Sequence, residues 1–168
     1  MICFTTLSFG QSPIKADESQ IKELIIETTD LPENIFDVDL NLDWIKFRFI
    51  NIKSLSNFKI KSDSWAFEKC KINSKTLSDI SELNPNLKKL RILACDVSND
   101  INLSVFKELE EFQLVYSLDE QKVENILKDS NIKKLILSGD VISDPENKKF
   151  INTLKQKGVK VEIEGLVI

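Results

Sequence analysis

The side chains able to do chemistry here are thiols and carboxylates. Three cysteines (Cys3, Cys70 and Cys95) and 27 acidic residues stand beside 23 lysines and arginines, and there is no histidine. That absence removes the usual general base, the commonest metal ligand and the usual switch near neutral pH. Ser-His-Asp and Cys-His nucleophile arrangements are excluded outright. The acidic run "DVDLNLD" at 37–43 lacks the regular spacing and distal glutamate of a calcium loop. "ILSGD" at 136–140 lacks the spaced glycines and Lys-Ser/Thr pair of a phosphate loop. Three cysteines without histidine make no four-ligand zinc set. A hydrolase working with carboxylates alone stays formally open, since it needs two acids converging in a closed pocket. Asn102-Leu103-Ser104 is a glycosylation sequon of a kind that also arises by chance.

Whatever positions these groups is a soluble fold of ordinary size. The 168 residues suffice for one domain with a real core, and 42% apolar content argues against disorder. A net charge of −4 and a pI near 5.1 argue against a chain-wide grip on nucleic acid. No run approaches the roughly 18–20 apolar residues of a membrane span. The start, "MICFTTLSFGQS", is apolar and uncharged, with small residues at Ser8 and Gly10. It reads equally well as the tail of a truncated signal peptide, the mature chain then beginning near Gln11, or as a short strand capping the core. In the first case the protein is exported to the periplasm or secreted; in the second it is cytoplasmic. Residues 1–20 are therefore set apart from a main domain at 21–168.

Within that main domain one spacing recurs. In "LKKLRILACDV", residues 87–97, Leu87, Leu90, Ile92 and Val97 are apolar at positions 1, 4, 6 and 11, with Cys95 at position 9. The template fits Ile21/Leu24/Ile26/Leu31, Leu42/Ile45/Phe47/Ile52 and, with a weak start at Ser62, Trp65/Phe67/Ile72. It fits again at Leu109/Phe112/Leu114 and Ile132/Leu135/Leu137/Ile142, and in degraded form at Val161/Ile163. The starts lie 21, 20, 25, 22, 23 and about 26 residues apart. Positions 4 and 6, two apart, point to one face of a short strand.

This spacing resembles the leucine-rich repeat family, whose period is about 20–29 residues. The resemblance spans roughly 21–168, although no copy carries the family's asparagine. It implies an α/β fold: a solenoid of about six to seven repeats, a short parallel sheet on the concave side, and helices and irregular turns on the convex side. It also implies that position 9 fills a buried slot bonding backbone groups, with Thr29, Ile50, Cys70, Cys95, Ser117 and Asp140 in series. Ile50 cannot bond, which predicts a looser turn there. The strand residues between the inward ones would line the concave face. Among them, Trp44, Lys46, Arg48, Phe49, Arg91, Leu93, Gln113, Val115 and Tyr116 have a protein-binding composition, aromatics beside arginine. Phe49 and Tyr116 could instead fold beneath the turn, and the charged positions could be an ordinary solvated face.

Between the strands, "SKTLSDISEL" at 74–83 and "DEQKVENILKDS" at 119–130 carry helical stripes. The clearest helix is "DPENKKFINTLKQKG", with Asp144 as cap, Pro145 in the first turn, Phe150, Ile151 and Leu154 as its stripe and Gly158 as its end. Cys70 and Cys95 fall on neighbouring strands, either as stacked buried thiols or as a disulfide. The expected function is a non-enzymatic protein-interaction module binding a protein on its concave face, of an inhibitor or immunity kind. The alternatives are a carboxylate-dependent hydrolase and a structural repeat array without a partner face of its own. No catalytic residue, metal or cofactor is expected, and neither nucleic acid nor a membrane span; a monomer is expected.

Overall fold

A computed structural model describes residues 5–6, 23–27, 41–49, 61–115, 123–139 and 141–164. Seven strands of four or five residues build its main sheet: β2 (Glu23–Ile26), β4 (Trp44–Arg48), β6 (Ser64–Glu68), β8 (Lys89–Leu93), β10 (Glu111–Val115), β11 (Lys134–Ser138) and β12 (Lys160–Glu164). The two-residue β1 (Thr5–Thr6) joins at one edge, giving eight strands in the order β1-β2-β4-β6-β8-β10-β11-β12. Every pairing is parallel. Two small parallel pairs flank it: β3 (Asn41–Leu42) with β5 (Lys61–Ser62), and β7 (Lys71–Ile72) with β9 (Asp96–Val97). Three helices lie to one side of the main sheet, α1 (Ser74–Leu83), α2 (Val123–Leu127) and α3 (Pro145–Gln156).

Alternation explains the strands. Leu24/Ile26, Ile45/Phe47, Trp65/Phe67, Leu90/Ile92, Phe112/Leu114 and Leu135/Leu137 are all buried, and parallel register stacks them in two rows. At the centre Phe47 stacks on Phe67, centroids 5.2 Å apart and rings 9° from parallel, with Trp65 tilted at 5.3 Å from Phe47. Leu77 and Ile80 of α1, Val123, Ile126 and Leu127 of α2 and Ile151 of α3 close the same cluster.

Local chemistry sets the helix ends. Asn73 caps α1: its Oδ1 accepts from the Thr76 amide at 2.8 Å. Asp144 Oδ1 accepts from the Glu146 amide at 2.7 Å, Pro145 sits in the first turn of α3, and Gly158 follows its end at φ +88°. Asn147 of α3 is buried and accepts the Val123 amide at 3.0 Å, tying α3 to the start of α2. The described part of α2, Val123–Leu127, falls inside the 119–130 segment expected to be helical, and residues 119–122 lie outside the described residues.

The expected leucine-rich repeat solenoid of six to seven repeats is corrected by this arrangement. The described residues form a single domain around one shared core, with one parallel sheet and three helices on one side. The segments joining its strands are unlike one another. α1 has ten residues, α2 five and α3 twelve, whereas between β8 and β10 the described helical piece is a single 3₁₀ turn, Leu103–Val105. Apolar residues two apart mark any strand with one buried face, so the spacing that suggested a repeat family specified strands and nothing larger. The terms solenoid and repeat protein go with that reading. Of the position-9 series, Cys70 and Cys95 are described; Thr29, Ile50, Ser117 and Asp140, and the turn expected to be loose, lie outside the described residues. So do most of residues 1–20.

Candidate functional site

The strands place Trp44, Lys46, Arg48, Arg91, Leu93, Gln113 and Val115 on the sheet's outer face, where the charged members are engaged within the chain. Arg48 projects from β4 between two neighbours. Its Nε donates to Glu68 Oε2 at 2.8 Å on β6, and an Nη donates to Glu27 Oε1 at 2.9 Å beyond β2. The hydrogen bond to Glu27 and the two nearby carboxylates hold the Arg48 guanidinium above its ordinary pKa. Lys46 meets Glu23 at 3.3 Å. Gln113 donates to Glu164 at 2.6 Å, and Arg91 approaches the same carboxylate at 3.9 Å. Lys134 lies between Glu111 and Glu162, at 3.6 and 3.3 Å.

The apolar members do not form an open patch. Val115, expected to face solvent, is 1% exposed, and the outward positions Ser64, Ala66 and Ser138 are buried too. Trp44 and Leu93 are half-buried, and Tyr116 lies outside the described residues. Phe49 is 55% exposed, with the Lys69 ammonium 5.1 Å from its ring centre. A concave protein-docking face of aromatics and free arginines is therefore corrected to a self-paired, partly covered surface. The described carboxylates of that face pair with lysine and arginine, as Glu23, Glu27, Glu68, Glu111 and Glu162 do. The structural repeat array falls with the repeat reading.

The thiols belong to the core. Cys70 and Cys95 are buried and unbridged. The Cys70 amide donates to Cys95 Sγ at 3.4 Å, Cys70 Sγ reaches the Phe47 carbonyl at 3.4 Å, and Cys95 Sγ reaches the Leu93 carbonyl at 3.4 Å. Hydrogen bonding to Cys70, then burial, pushes the Cys95 thiol far above its ordinary pKa, so it remains a thiol and not a nucleophile. Each cysteine follows a left-handed residue, Lys69 at φ 54° and Ala94 at φ 49°, where the chain leaves its strand. The thiols bond backbone groups at those turns.

One concavity stands apart from the sheet. Strand order never reverses among the described strands, so the crevice that open parallel sheets usually form at such a reversal has no place here. A cleft of about 720 Å³ opens instead between α2, α3 and the segments leading into β11 and β12. Leu127, Ile132, Phe150, Leu154 and Val159 form its apolar lining, and Lys128, Lys133 and Lys157 with Glu124 and Asp129 its charged lining. Asp129 ends α2 in a left-handed turn at φ 60°, and Ser130 Oγ donates to the Leu127 carbonyl at 2.7 Å, which fixes that wall. Lys133 is held by Glu110 at 2.5 Å. Lys128 and Lys157 are exposed and, among the described residues, make no ion pair. The sequence hid this site because its walls come from three separate segments. The one visible sign was the apolar stripe on α3: Ile151 is buried, while Phe150 and Leu154 pack against the core from half-buried positions and line the cleft.

Among the described residues no helix is long and apolar enough to cross a membrane. No protein-family model matches the chain, including any for leucine-rich repeats, and no curated protein or solved structure matches it.

Proposed function

We propose that this chain is a non-catalytic binding domain whose α2/α3 cleft takes a small amphiphilic anion. The observation that carries this reading is an apolar floor beneath two unengaged ammonium groups. Phe150, Leu154 and Leu127 would cover an acyl-like tail, while Lys128 and Lys157 at the rim would meet a carboxylate or phosphate head. The volume falls within the range of small-molecule sites, in which an apolar lining supplies affinity and a few polar groups set orientation. A binding role without catalysis fits a chain that has no histidine and whose described cysteines are buried, hydrogen-bonded thiols.

Calorimetry with three twelve-carbon probes tests it: dodecanoate, dodecanol and dodecyltrimethylammonium. Dodecanoate is expected to bind best. Two exposed charge contacts, each worth up to about 1 kcal/mol, correspond to up to about thirtyfold weaker binding in the Lys128→Gln/Lys157→Gln variant. Equal binding of all three probes, or full affinity in that variant, would rule out the charge-selective site.

A further inference from the structure

The far edge of the sheet carries a second feature, which shares Val159 with the cleft. β12 pairs with β11 on one side, Lys134↔Lys160 through Ser138↔Glu164, and no described strand pairs with its other side. The Lys160 amide donates toward β11, to the Lys133 carbonyl at 2.9 Å. Backbone groups alternate in direction along a strand, so Lys160, Glu162 and Glu164 address β11 while Val161 and Ile163 present theirs outward. The same two residues carry the strand's core-facing side chains. Elsewhere in the sheet such pairs are at most 2% exposed, yet Ile163 is 43% exposed and Val161 half-buried. Among the described residues, backbone without a strand partner and incompletely covered apolar surface thus coincide at Val161 and Ile163.

We propose that this edge pairs, antiparallel, with the β12 edge of a second copy of the chain. Outward backbone groups occur at residues 161 and 163 of the strand, which leaves three symmetric registers. Pairing Ile163 with itself would set Glu162 against the partner's Glu164. Pairing Val161 with Ile163 would set Glu162 against its own symmetry mate. Pairing Val161 with itself sets Lys160 against the partner's Glu162, twice, with no like-charge pair among β12 residues. Like charges directly opposed are destabilising and opposite charges stabilising across such a pair, so charge selects this last register. It also brings Ile163 opposite the partner's Val159, which is half-buried, so the two cores become continuous across the two-fold axis. The interface is isologous, as a closed dimer requires. Its small size places the association at the weak end of specific interfaces.

Sedimentation velocity on the full chain, from about 1 to 300 μM, tests this, a span suited to weak affinities. The wild type is expected to shift from monomer to dimer. Lys160→Glu and Glu162→Lys alone should each remain monomeric, because each then opposes like charges across the axis. An equimolar mixture of the two should recover the dimer, since every crossed pair is again opposite in sign. Circular dichroism melts confirm that both variants are folded, and the wild-type series is decisive by itself. A wild type that is monomeric throughout overturns the proposal. So do charge variants that dimerise like the wild type, or a folded mixture that does not associate.

Discussion

The middle of the sheet and its β12 edge are written in the same alternating pattern and reach different ends. In β6, Trp65 and Phe67 are completely buried because strands flank them on both sides and helices cover them. In β12, Val161 and Ile163 alternate in the same way, but no described strand lies on one flank and Ile163 is 43% exposed. A side chain's direction comes from its own strand; its burial comes from the neighbours on either side. The edge also shows how charge guards an incomplete flank, since Lys160, Glu162 and Glu164 alternate along it, as edge strands commonly do against indiscriminate pairing.

This contrast can be broken most sharply by truncation. Phe67→Ala should cost about 3–5 kcal/mol, the usual loss for deleting a buried aromatic ring, whereas Ile163→Ala should cost less than about 1 kcal/mol because much of its surface is already wet. Urea titrations of both variants at low protein concentration check the pair. Equal losses would mean that the edge is covered in solution by something that also covers the middle.

A smaller effect is expected where the strands end. Ala94 adopts φ 49°, and its amide still donates to the Val115 carbonyl at 2.8 Å. A residue with a Cβ is strained there, while glycine is not. Ala94→Gly should therefore leave stability unchanged or raise it by up to about 1 kcal/mol, although the same change inside β8 would lower it. Thermal melts distinguish the outcomes, and a drop above about 1 kcal/mol would show that the methyl group matters more than the turn.

The smallest effect is that of acid on the exposed ion pairs. Lys133 holds Glu110 below its ordinary pKa, and Lys160, then Lys134, do the same for Glu162. A depressed folded-state pKa gives stability that is complete above the unfolded value, near 4.5, and is lost as pH falls through the folded value. The melting temperature should therefore be flat above about pH 5 as far as these groups are concerned, and should decline below it. Glu162→Gln should soften the decline. Phe67→Ala should shift the whole profile without changing its shape, since the middle of the core has no carboxylate.

Much of the local structure was legible before any coordinates. The seven main strands lie where apolar residues stand two apart, and α3 begins and ends where Asp144, Pro145 and Gly158 place its boundaries. These features depend on residues within a few positions of one another. The candidate site was legible far less well. Val115 looked exposed because alternation turns it outward, yet it is buried; alternation gives a direction and says nothing of what lies over it. Arg48 and Arg91 looked available for a partner, but their carboxylates arrive from Glu27, Glu68 and Glu164, up to 73 positions away in the chain. The cleft of Lys128, Phe150 and Lys157 has no motif, since it exists where two helices fail to close over one another.

What the sequence determined unaided was therefore the alphabet of elements and a chemical exclusion, both read from residue type and short-range spacing. Without histidine, a large part of enzyme chemistry was gone before folding was considered. The tertiary structure decided how the elements combine, into one sheet in chain order with helices on one side, and which charges are already spent on one another. The physical reason is range: backbone torsion and side-chain direction act over a few residues, whereas burial and ion pairing depend on segments that only folding brings together.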